Sequence, residues 1–192
     1  MPINVSMSVS FRGPGVGSVA RACLAGGLLV LLLAGCATGD VEMLATITGG
    51  KQLRVPIGRG GVEPAREDGV EVKLASFILN QDKKPIYAFA LSDSRARAVR
   101  QIRVEDVSDE TAVTLVDDTD PKVPANGTWN RETAPIELGD PRLAWLVTIS
   151  NTLRVYRFTV TFADGRTLVL HQGALFSAHV KEAMRQTLAP KA

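Results

Sequence analysis

Alternation of apolar and polar positions dominates the chain after residue 40 and predicts a series of short strands. Val41, Met43, Ala45 and Ile47 alternate with polar or small residues, and Leu53, Val55 and Ile57 resume the pattern after Gly49-Gly50. Two half-buried strands joined by residues that accept positive φ make a β-hairpin over 41–57. Gly58 to Gly69, rich in glycine and mixed charge with Pro64, reads as a loop. Val70, Val72 and Leu74 begin a strand that continues through Phe77, Ile78 and Leu79, with a change of phase that predicts a bulge. A polar turn at 80–85 leads to a strand at Ile86–Leu91. Residues 92–98 fit either a short helix capped by Asp93 or Ser94 or extended chain, whereas Ile102, Val104 and Val107 favour extended structure. One more short strand is expected at 111–116.

From Asp117 to Pro141 the prolines and the Asn126-Gly127 pair predict a long loop, with Trp129 in its middle. A connection of that size is either functional or a partly ordered excursion. Trp129 would either pin the loop to the core or serve as a recognition residue. Leu143, Trp145, Val147 and Ile149 then alternate, as do Tyr156, Phe158, Val160 and Phe162. Asp164-Gly165 is a hairpin signal, and Leu168 and Leu170 complete a predicted three-stranded meander at the centre of the core. Leu175, Phe176, Val180, Ala183, Met184 and Leu188 share one side of a predicted helix over about 175–188, with Pro190 beyond it. Many short strands and one terminal helix predict an all-β antiparallel sandwich, immunoglobulin-like in the broad sense, with a small β-barrel as the alternative.

The first 40 residues have a different character. Ala22 to Ala37 holds only apolar residues, Gly and Cys; Arg12 and Arg21 precede it, and the first acidic residue is Asp40. A basic leader, a short apolar block and then small residues is the order of a secretory signal, and the block is shorter than the ~20 residues that span a bilayer. Its end, Leu33-Ala34-Gly35-Cys36, resembles the lipobox of bacterial lipoproteins. That resemblance implies cleavage after residue 35 and a diacylglycerol on the Cys36 thiol. It divides the chain into a signal peptide at 1–35, a lipidated N-terminus and short tether at 36–40, and one domain at 41–192. Position 37 is Ala; in that family an Asp there holds the protein at the inner membrane, so Ala37 implies a lipid anchor in the outer membrane, facing the periplasm.

This reading alters the charge and cysteine arguments. The 192-residue chain has 22 basic and 20 acidic residues, but Arg12 and Arg21 leave with the signal, so the mature domain is neutral. Its basic balance then gives no reason to expect nucleic acid. Cys23 leaves as well and Cys36 is acylated, so no disulfide is expected and the fold must rest on its core.

Candidate chemistry is sparse. The chain has no Gly-x-Ser-x-Gly turn, no phosphate-binding glycine loop and no His-Glu-x-x-His pair. His171 and His179 are the residues that would meet at a metal or act with carboxylates as a hydrolytic site; a hydrogen-bonding histidine at a strand–helix junction is the simpler reading. Asp117, Asp118 and Asp120 form a cluster without the glycine and distal glutamate of a calcium loop, which reads as a solvated turn. Arg95, Arg97, Arg100 and Arg103 could contact lipid headgroups or another polyanion. Glu105, Asp106, Asp109 and Glu110 follow directly, so an ion-paired surface is the simpler account. The sequence thus implies a membrane-tethered binding or assembly module, with no catalytic residue or cofactor assigned. Its partners would be the membrane and an envelope protein, with Trp129 and the four arginines as candidate contacts; a ligand- or metal-binding domain or a hydrolase is the alternative.

Overall fold

The computed structural model describes residues 41–188 apart from 58–60, 81, 83, 125, 126 and 138. It is mostly β, with three antiparallel sheets, no closed barrel and one C-terminal helix, as a β-sandwich requires. The strands are β1 (Val41–Thr46), β2 (Gln52–Ile57), β3 (Ala65–Glu67), β4 (Val70–Leu79), β5 (Pro85–Asp93), β6 (Val99–Asp106), β7 (Val113–Asp118), β8 (Thr128–Glu132), β9 (Thr152–Phe162) and β10 (Thr167–Phe176), followed by helix α1 (Ala178–Leu188). The sandwich pairs a sheet of order β10-β9-β6-β7 with one of order β3-β4-β5-β8; β1 and β2 form a separate two-stranded sheet.

The inner faces meet through aromatic side chains. Phe89 of β5 packs edge-on against Tyr156 and Phe158 of β9, with ring centroids 5.4 and 5.7 Å apart. All three residues are fully buried, as are Ile102, Val104 and Val160 beside them. Such edge-to-face pairs add about 0.5–1.5 kcal/mol each beyond the area they bury. The β1–β2 hairpin lies on the outer face of the β10-β9-β6-β7 sheet. Ala45, Ile47, Val55 and Ile57 bury Val107 and Val155 in a second, smaller core. This is why Arg154, Val155 and Tyr156 are consecutive buried positions in a strand that otherwise alternates.

The predicted hairpin at 41–57 and the strands at 70–79, 86–91 and 156–162 are present. The phase change after Leu74 is a register shift in the β4–β5 ladder between Leu74 and Ser76. At this irregularity the Leu74 N–H donates to the Oε1 of Gln172, 3.1 Å away on the opposite sheet. Gln172 is itself fully buried, so the bulge and the glutamine satisfy one another.

Four expectations are corrected. The loop at 58–69 contains β3, which pairs with β4 through Asp68-Gly69. Both turn residues have positive φ, 49° and 83°, the backbone of a two-residue hairpin. The long connection at 117–141 contains β8, paired with β5. The stretch at Leu143–Ile149 is not a strand, because a 3-10 helix occupies Pro141–Val147. Asp140 accepts from the Arg142 N–H at 2.8 Å and Pro141 starts the turn, the two features that favour a helix start. The expected meander is therefore only a β9–β10 hairpin, and the other neighbour of β9 is β6.

The fourth correction concerns the terminal helix. Leu175 and Phe176 complete the ladder with β9 and are not part of α1. Val180 is 42% exposed and Ala183 is also exposed, while Lys181 is fully buried, so the docked face differs from the predicted one.

The hairpin depends on one close approach. A Cβ on Gly173 of β10 would lie 2.9 Å from both Ile57 Cδ1 and Val55 Cγ2. Gly173→Ala is expected to lower stability by about 1–3 kcal/mol through overpacking, read as a lower urea midpoint. An unchanged midpoint would mean that the hairpin does not bear on the sheet at Gly173.

Candidate functional site

Chemistry-bearing side chains gather at the two ends of the sandwich. At the end where β5 finishes, a cleft of about 750 Å³ is lined by residues that include Arg66, Asp68, Glu71, Asp93 and Thr128. Its floor is an ion-pair clasp. Asp93 ends β5 with a buried carboxylate that accepts from the Arg95 and Arg97 N–H groups at 3.1 and 3.0 Å. The Arg97 guanidinium adds a fork, Nε to Oδ2 at 2.8 Å and Nη2 to Oδ1 at 3.0 Å. Arg97 also donates to the Asp68 carboxylate at 2.5 Å and its carbonyl at 2.7 Å, and stands 4.3 Å over the Phe162 ring.

Burial opposes ionisation of Asp93, but the guanidinium and the two N–H groups outweigh it and hold the carboxyl below its usual range. The hydrogen bond from Arg97 does the same for Asp68. Arg66 is similarly engaged, donating to Glu71 at 2.7 Å. These charges are joined to one another along the cleft wall, and among the described residues no group of three His, Cys, Asp or Glu is placed to hold a metal ion.

At the opposite end the charges are deeper. Arg154, 5% exposed, donates to Asp106 at 2.6 and 3.0 Å and to Asp109 at 2.8 Å. Its guanidinium lies 6.0 Å from the Trp145 ring. Lys181 of α1 is buried and, among the described residues, has no carboxylate as a hydrogen-bond partner; it donates to Thr148 Oγ1 at 2.5 Å, Thr152 Oγ1 at 2.7 Å and the Trp145 carbonyl at 3.3 Å. Burial lowers the pKa of this amine, with Arg185 adding to the effect. Three oxygen acceptors nevertheless match the three donors of an ammonium, so the contact latches α1 to the 3-10 helix and the start of β9.

The residues singled out from sequence are scattered. Trp129 is 4% exposed in β8, and its Nε1 donates to Asp118 at 3.0 Å. It therefore pins the 117–141 connection to the core, and its ring offers no surface to a partner. Arg95 and Arg97 both pair with Asp68. Arg103 lies 3.1 Å from Glu105, which also holds Arg157 at 2.7 Å; Arg100 is exposed. Three of the four arginines thus belong to the ion-paired surface.

His171 is mid-strand in β10 opposite Arg157, and His179 is on the first turn of α1. About 17 Å of strand separates His171 from the end of β10, so the two histidines do not form one site. Burial, with the positive charges of Arg157 and Lys51, lowers the His171 pKa and favours the neutral ring. Asp117 accepts from Gln101, Asp118 from Trp129, and Asp120 from Lys122. Cys36 lies outside the described residues. Sequence reasoning missed Arg154 and Lys181, because nothing in a charged residue's neighbours along the chain signals that it will be buried.

Comparison with protein families, with curated proteins and with solved structures finds no match to this chain.

The chain's two tyrosines, Tyr87 and Tyr156, are both in the core. Burial, reinforced by the Asp106 carboxylate, pushes Tyr87 up to about 12, and burial carries Tyr156 well above its usual range. In the unfolded chain both ionise near the ordinary tyrosine value of 10.0, so above pH 10 the native state binds more protons and stability falls as pH rises. Absorbance at 295 nm is expected to show no tyrosinate in the folded protein through pH 10, and both tyrosines ionising together on alkaline unfolding. Titration of either tyrosine near 10 with the fold intact would refute this.

Proposed function

We propose that the protein is a lipid-anchored envelope protein whose β-sandwich acts as a non-catalytic binding or assembly module at the membrane surface. The observation that carries this reading is the Leu33-Ala34-Gly35-Cys36 sequence at the end of an apolar block, with only residues 37–40 between Cys36 and the first strand at Val41. The apolar block supplies the secretory signal, the small residues admit the peptidase, and Cys36 offers the thiol that takes the lipid. Four residues reach at most about 14 Å, which keeps the domain against the bilayer. Among the described residues no helix is long and apolar enough to cross a membrane, so attachment in this reading rests on the lipid.

Support for a binding or assembly role comes from how the polar side chains are used. Asp93 with Arg97 and Arg154 with Asp106 are engaged with each other, and Lys181 is engaged with threonines of its own fold. The histidines that would serve a hydrolase lie on separate elements. The cleft beside Asp68 and Thr128 is the concave surface that a partner segment would meet.

Cys36→Ser is expected to abolish labelling by a radioactive fatty acid and to leave an unprocessed precursor. Unchanged maturation and membrane attachment would overturn the anchor. Crosslinking of the lipidated protein in its native membrane, followed by mass spectrometry, tests the binding role; repeated recovery of no specific partner would count against it.

A further inference from the structure

Both ends of the sandwich carry ion pairs, but exposed apolar side chains gather at only one of them among the described residues. The cleft and its ion pairs occupy the end where β5 and β9 finish. The opposite end carries the 3-10 helix, α1 and the turn at 148–151. Ile149 at this turn is 84% exposed, and Val180 on α1 and Ile78 near the end of β4 are 42% and 45% exposed. Val169, the fourth large apolar side chain exposed among the described residues, stands mid-strand on β10.

The Ile149 turn is held in place. Asn151 Oδ1 accepts from the Ala178 N–H at 2.9 Å, and Thr148 and Thr152 accept from the buried Lys181 amine. No charged residue occurs from Val147 to Leu153. The turn therefore presents Ile149 on a backbone already held in place, with no charged side chain of its own, and a turn already ordered loses little freedom on docking.

The start of the first strand bears on what this tip meets. Val41 of β1 pairs with Ile57, and Ile57 lies against Gly173, three residues before the end of β10. The chain therefore enters the domain near the end of β10, on the side of the Ile149 turn. From Cys36 to Val41 the reach is about 17 Å. We infer that the domain stands on the bilayer with the 148–151 turn facing the lipid, Ile149 entering the interfacial layer with Val180 beside it, and the Asp68–Thr128 cleft turned away from the membrane. This orientation rests on the Cys36 anchor proposed above.

The test uses the mature lipidated protein in vesicles of phosphatidylethanolamine and phosphatidylglycerol. Ile149→Cys, and separately Thr167→Cys at the other end, carry an environment-sensitive fluorophore; flotation with the vesicles is measured first. The label at position 149 is expected to shift to the blue and to be quenched several-fold more strongly by lipid-borne nitroxide than the label at 167. Protein that floats while both labels stay equally open to aqueous iodide overturns the orientation and leaves the anchor standing. Protein that does not float overturns the anchor and the orientation with it. Shielding of position 149 in native membranes but not in vesicles overturns the lipid contact in favour of a protein partner.

Discussion

The contact on which the sandwich depends is the layer of rings between β5 and β9, where Phe89 meets Tyr156 and Phe158. Each strand is interior to its sheet, so each can hand this contact on to neighbours through its ladder. Both cysteines precede residue 41, so no disulfide within residues 41–192 joins the two sheets, and apolar burial holds them together. The same layer makes the core costly to ionise, which is why Tyr87 and Tyr156 keep their protons far into alkaline pH.

Two buried polar arrangements close the ends of this layer. At one end Asp93 gathers two backbone N–H groups and the Arg97 fork, joining the β3–β4 turn to β5. At the other, Arg154 joins β9 to Asp106 at the end of β6, and Lys181 fastens α1 over the junction. Removing one partner from such a set strands the rest away from water, at a cost of about 3–5 kcal/mol for a buried ion pair. Charges that looked available for binding in the sequence are therefore structural where they have partners. Among the described residues, the proposed reading assigns recognition to the Asp68–Thr128 cleft and the Ile149 turn.

Much of the fold was legible because strand alternation is a local property. The 41–57 hairpin, the bulge after Leu74 and the β9–β10 turn all follow from side-chain period and turn chemistry. Asp68-Gly69 carried the same hairpin signal as Asp164-Gly165, but the three-residue strand before it is too short to show alternation. At Leu143–Ile149 the period-2 pattern misled, because Leu143 and Trp145 are buried from a 3-10 helix as they would be from a strand. The Asp140–Pro141 start was the better guide there.

By itself the sequence determined the strand-rich class, most of the turns, the neutral charge of the chain after residue 35 and the expectation of a lipid on Cys36. These follow from composition, short-range periodicity and a motif read along the chain. Only the tertiary structure decided that β9 lies between β10 and β6, that Arg154 and Lys181 are buried, that Trp129 faces the core, and that His171 and His179 stand on separate elements. Such outcomes depend on which residues meet across tens of positions, as Arg154 meets Asp106 and Leu74 meets Gln172. Pairings of that range leave no trace in the local pattern, because any strand of suitable length could have supplied the neighbour.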